Sequence, residues 1–115
     1  MIREGLVVLF RFPQTNQAEG KLRPALVLRK LPGSYHDWLI CMISLQLSQE
    51  VPAFDDILNY QDSDFVSSGL KAPSVIRISR LAVVAKNMLL GAIGEIDSQR
   101  LTRIRGRLSH WLVGT

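Results

Sequence analysis

The side chains able to do chemistry in this 115-residue chain are few and scattered. Cys41 is the only cysteine, and His36 and His110 lie far apart. Cys41 stands between Leu39-Ile40 and Met42-Ile43, which marks it as an inert core thiol rather than a nucleophile. Asp55, Asp56, Asp62 and Asp64 form the one acidic cluster. Neighbouring carboxylates can chelate a divalent ion, but no central Gly and no bidentate Glu complete a calcium loop. A helix start followed by a solvated loop accounts for them as well, so no metal is assigned. A phosphate-cradling Gly-rich loop, a His-Glu-x-x-His pair and a nucleophile elbow are all missing. What stands out instead is guanidinium: ten arginines against four lysines, at a net charge of +4. Arg presents a fork that matches phosphate oxygens and a plane that stacks on bases, so the excess favours a polyanionic partner.

The elements that must position these groups read as short strands followed by one helix. Residues 5–12 make a mostly buried first strand, and residues 14–20 a polar surface loop. Arg23-Pro24-Ala25-Leu26-Val27-Leu28-Arg29 follows as a second strand, with its Pro at the start, where a missing N–H does least harm. Residues 38–44 make a third. Residues 53–59 suit one helical turn, and residues 61–64 a polar break. Residues 74–78 and 81–85 are two β-prone runs, and residues 91–96 a last strand. From Asp97 or Ser98, the natural N-caps, the period changes: Leu101, Ile104, Leu108, Trp111 and Leu112 recur at helical spacing. Arg100, Arg103 and Arg107 fall largely off that stripe.

Length and composition predict a single domain over residues 1–115, of α+β class and mainly β, with a strongly curved, barrel-like sheet and a covering C-terminal helix. Apolar residues make up 47% of the chain, enough to form a core, and no run approaches the ~18 apolar residues of a membrane span. Met1-Ile2-Arg3-Glu4 does not read as a signal peptide, and one cysteine fits a reducing compartment; a cytoplasmic location is expected.

Two segments carry a family resemblance. Gly5-Leu6-Val7-Val8 leads through a polar loop to Gly20-Lys21-Leu22-Arg23-Pro24-Ala25-Leu26-Val27-Leu28, and Leu39 to Gln46 forms an apolar strand ending at Ser44. Together they resemble the PemK/MazF toxins, whose second strand carries G-x-x-R-P-A-x-V-[LI] and whose third ends in an apolar-Thr/Ser pair. Pro73 to Leu81, Lys86 to Leu89, Ile93 to Ile96 and the closing helix follow in the family's order. The resemblance implies an SH3-like β-barrel that dimerises about a two-fold axis. It also implies a metal-independent, sequence-selective endoribonuclease without cofactors, cutting single-stranded RNA by 2′-OH attack to a 2′,3′-cyclic phosphate. A cognate antitoxin is the implied partner. Arg23 falls at the family's catalytic Arg, meeting the charge of the phosphorane, and Ser44 at its phosphate-bonding Thr. Lys21, Arg77 and Arg80 are the implied RNA-binding cations; the Tyr35 and Trp38 rings are able to stack on a base, with core packing the better reading for Trp38. Leu6 replaces a frequent Asp, and Ser79 replaces an acid proposed in some members as the general base. A hydroxyl cannot fill that role unaided, which leaves Arg23 with Ser44 alone, or help from Glu19 or His36. The alternative is a non-catalytic binding module, since relatives of this fold act on DNA gyrase.

Overall fold

The apolar runs that open the chain are continuous rather than alternating because the middle of the sheet is buried on both faces. The computed structural model describes residues 1–11 and 21–114. Among these, β1 (Leu6–Arg11), β2 (Leu22–Lys30), β3 (Asp37–Ser44), β4 (Asp56–Leu58), β5 (Ser74–Ala85) and β6 (Leu89–Glu95) precede one helix, α1 (Ser98–Val113). The strands pair antiparallel in the order β4-β5-β3-β2-β1-β6, leaving β4 and β6 as edges. The expected barrel is therefore a strongly curved sheet that stops short of closure. Register shifts in β1–β6, β2–β3 and β3–β5 supply the bends, since an extra residue on one strand forces it to coil.

Alternate residues feed two cores. Val7, Leu26, Cys41 and Ile43 face α1, where Ile104 and Leu108 meet them. Val8, Ala25, Val27, Ile40 and Met42 point the other way and pack with Trp38 and Leu89. Burial pushes the Cys41 thiol far above its ordinary value, as an inert core thiol requires. Trp38 belongs to the core, which removes it as a stacking ring.

Three expectations need correcting. Residues 53–59 do not form a helical turn: Asp56–Leu58 is an edge strand on β5, because pairing with Ser74–Ile76 outweighs the local preference. The runs at 74–78 and 81–85 are one strand, with Ile78-Ser79-Arg80 looped out where Cys41 faces Leu81 and Met42 faces Arg77. The acidic cluster is not a solvated loop. Asp55, Asp56 and Asp64 are buried, and most of the cluster neutralises the helix arginines that lie off the apolar stripe.

Arg100, only 6% exposed, meets five oxygens. Its Nε and Nη2 hold both oxygens of Asp64 at 2.8 and 3.0 Å, and Nη1 donates to Asp56 at 2.6 Å and to the Ile57 carbonyl at 3.1 Å. Asp62 Oδ2 lies 3.1 Å from Nη2. Arg103 and Arg107, on the same side of α1, reach Asp56 at 3.0 and 3.1 Å. Asp97 caps the helix by accepting from the Arg100 N–H at 2.7 Å, while its own N–H donates to Asp64. The helix thus docks onto the irregular segment after β4 by charge as much as by its apolar stripe, whose last members Trp111 and Leu112 stay exposed.

Arg100→Ala should destabilise the fold by about 3–5 kcal/mol, because buried Asp56 and Asp64 lose their main partner. Arg103→Ala, removing a half-exposed partner, should cost less than ~1 kcal/mol; urea unfolding of both variants checks the contrast. Burial raises the Asp64 carboxyl, but hydrogen bonds from Arg100 and from the Asp97 N–H outweigh it, leaving a value below the usual range. A depressed folded-state value stabilises above the ordinary Asp range and is lost as pH falls through it. Stability should therefore decline on acidification, with a shallower slope in Asp64→Asn, measured by unfolding midpoints across the acid range.

Candidate functional site

Pro24 shapes the site. It has no N–H to donate, and the β2–β3 ladder begins only at Ala25 opposite Met42. Beyond that point the ends of the two strands part around a cavity of about 490 Å³. Continuing the register by two residues sets Arg23 opposite Ser44, and both line this cavity. Arg23 is solvent-exposed and Ser44 half-buried, so neither is sealed inside the protein. Leu9, Pro24, Ile43, Leu70 and Ile93 give the cavity apolar walls.

Ser44 is oriented by its neighbour. Its Oγ accepts from the Gln46 N–H at 3.0 Å, a local bond typical of strand-end hydroxyls. That bond uses a lone pair and leaves the hydroxyl proton available to an anion in the cavity. The opposite wall is Gly69-Leu70-Lys71, held against β6 by the Glu95 N–H donating to the Ser67 carbonyl at 2.8 Å. A Cβ at Gly94 would lie 2.2 Å from the Ser67 oxygen, and one at Gly69 2.1 Å from the Ile93 oxygen. Only glycine lets the two backbones meet so closely. Lys71 thereby becomes a second cation of the cavity, one that sequence reasoning missed. It lies in an irregular stretch with no periodicity to place it.

The other expected residues are distributed unevenly. Arg77, opposite Met42, shares a sheet face with Arg23 and Ser44 by strand parity. Its Nε is buried and meets no acceptor among the described residues. Arg80 is exposed on the looped-out turn of β5, and Lys21 is exposed at the entrance to β2; none of the three lines the cavity itself. Ser79 is tied to a buried carboxylate. Its N–H and Oγ donate to Asp55 at 2.9 and 3.0 Å, and Asp55 also accepts from the Val51 N–H at 2.9 Å. The hydroxyl where a base was expected therefore anchors a turn. His36 sits in the β2–β3 turn at the far end of the strands, which removes it as a helper to Arg23. Glu19 lies outside the described residues, as does the polar loop at 14–20.

Among the described residues the cavity lining has no carboxylate, and no group of three or more His, Cys, Asp or Glu side chains is placed to hold a metal. Two cations and an oriented hydroxyl around an apolar-walled opening can bind a phosphodiester and stabilise added negative charge on it.

Known proteins of the same shape include antitoxin complexes. An endoribonuclease bound to its cognate antitoxin from a mycobacterial species is 12% identical, with a TM-score of 0.68 over 100% of this chain and 98% of that one. The Mycobacterium tuberculosis toxin MazF-mt6 is 14% identical, with a TM-score of 0.68 over 94% and 96%. The MazE–MazF structure from Deinococcus radiodurans is 20% identical, with a TM-score of 0.72 over 100% and 99%. At these identities the likeness establishes the fold. Among curated proteins none matches the sequence. The family profile described as PemK-like, MazF-like toxin of type II toxin–antitoxin system matches residues 3–112, nearly the whole chain. The chain belongs to this toxin family.

Proposed function

We propose that the chain is a metal-independent, sequence-selective endoribonuclease toxin that cuts single-stranded RNA through attack of the ribose 2′-OH on the adjacent phosphorus. Residues 1–115 act as one toxin domain, in the cytoplasm, as a homodimer restrained by a cognate antitoxin. The observation that carries the reading is the shared cavity of Arg23 and Ser44. In-line attack gathers charge on the phosphorane oxygens. A guanidinium and a hydroxyl donor, side by side on one wall of the cavity, meet that charge where it develops. The bond from O2′ to phosphorus forms as the bond to O5′ breaks; the 2′-OH gives up its proton to solvent and O5′ takes one from solvent, leaving a 2′,3′-cyclic phosphate and a 5′-hydroxyl. Arg23 serves as the electrostatic stabiliser, Ser44 as the donor to a non-bridging oxygen, and Lys71 as a further cation near the phosphate. Lys21, Arg77 and Arg80 grip the flanking backbone. Single-stranded substrate fits, since the attack needs a splayed backbone and accessible bases. An antitoxin segment rich in acidic residues would complement the same cations.

A second reading, a non-catalytic binding module on this fold, draws support from a cavity lining that has no carboxylate among the described residues and from the engagement of Ser79 by Asp55. Incubating end-labelled RNA with the protein in EDTA separates the two. The nuclease reading expects cleavage in EDTA, abolished by one 2′-deoxy residue at the cut site; intact RNA under every condition establishes the binder. Arg23→Ala should lower the cleavage rate by about 100-fold or more, the scale of losing one transition-state donor. Ser44→Thr should retain most of the rate and Ser44→Ala should not, as single-turnover kinetics will show.

A further inference from the structure

A second cavity, of about 620 Å³, opens beside the β2–β3 turn and extends to Leu89 at the start of β6, sharing no lining residue with the cavity of Arg23. Ile2 and Leu89 give it an apolar floor, and Tyr35, His36, Lys86 and Asn87 stand around it. None of its lining residues, among those described, is acidic; Asp37 follows His36 in the chain but does not line it. The rim is fixed rather than loose. His36 holds a left-handed backbone (φ 58°), and its carbonyl accepts from the Lys86 N–H at 3.0 Å, clipping the β2–β3 turn to the segment after β5. Two basic side chains are thereby set next to each other on separate segments. Tyr35 beside them is 81% exposed, an aromatic ring the core does not use.

We propose that this cavity is a non-catalytic subsite for single-stranded RNA, taking one base on the Tyr35 ring and its phosphate between His36 and Lys86. An exposed aromatic next to a cation, here Lys86, is the combination by which proteins hold unpaired nucleotides, the ring stacking on the base and the ammonium meeting the backbone, with the His36 imidazole a further hydrogen-bonding group. Asn87 adds a donor and an acceptor for a base edge. The cavity's charge and flat ring favour a nucleotide over an acidic peptide, which would supply carboxylates but nothing planar to stack. The two cavities share no residue, so a strand seated in both has a footprint longer than the cut site. The second contact then forms at high effective concentration.

The subsite rests on the reading of the chain as RNA-directed, but its test does not require cleavage. Uridine 5′-monophosphate is titrated into the protein while backbone and imidazole resonances are followed by NMR. In parallel, uncleavable 2′-O-methyl RNAs of about 4 and about 12 nucleotides are compared by fluorescence anisotropy. Shifts clustered at Tyr35, His36 and Lys86 are expected. So is a Tyr35→Ala/Lys86→Glu variant that loses roughly ten-fold affinity for the longer RNA and none for the shorter, with Tyr35→Phe retaining the wild-type value. No shifts with the nucleotide, shifts produced only by an acidic peptide, or equal losses at both RNA lengths would overturn the proposal. A protein that cuts no RNA yet shows the expected shifts loses the nuclease reading and keeps the subsite.

Discussion

One buried guanidinium organises the half of the molecule that the sheet alone does not define. Arg100 projects from the first turn of α1 into a nest of Asp56, Asp62 and Asp64, which come from β4 and the segment after it. A charge taken out of water is tolerated only when its hydrogen-bonding capacity is met, and here each direction of the fork finds an oxygen. The constraint runs both ways. The carboxylates are buried because Arg100 is there, and the helix has its position because the carboxylates are. Arg103 and Arg107 add charge to Asp56 from the solvent side.

That junction reaches the candidate site through the chain that follows it. The segment tied down at Asp62 and Asp64 continues to Ser67, which bonds to β6, and then to Gly69-Leu70-Lys71, a wall of the cavity. The facing wall is built differently, by Pro24 ending a ladder so that Arg23 and Ser44 stand at separating strand ends. One wall is positioned by ion pairs and glycine contacts, the other by a missing N–H. A phosphate between them would meet cations from both, and this supports phosphoryl chemistry more strongly than the arginine count does.

Much of this was legible in residue order. The first three strands, the helix after Asp97 and the core role of Cys41 all follow from apolar period, turn residues and capping. The Arg-Pro-Ala strand pointed to Arg23 and, with the next strand, to Ser44. The readings at Asp55, Asp56, Asp62 and Asp64 went astray for one reason. A carboxylate in a sequence shows its charge but not its partner, and the partners of Asp56, Asp62 and Asp64 lie some forty residues away on a helix. Ser79 is similar: its engagement by Asp55 spans twenty-four positions.

Local chemistry determined the elements: which stretches extend, where Pro and Gly interrupt them, where a helix is capped, and which side chains are able to meet a phosphate. These follow from short-range sterics and periodicity, which act within a few residues. Only the tertiary structure decided that the acidic cluster would serve a buried arginine, that Lys71 would join Arg23 and Ser44, and that His36 would stand at the far end beside Lys86. Those outcomes depend on sheet order and bulged registers, which bring together groups that no local rule can pair.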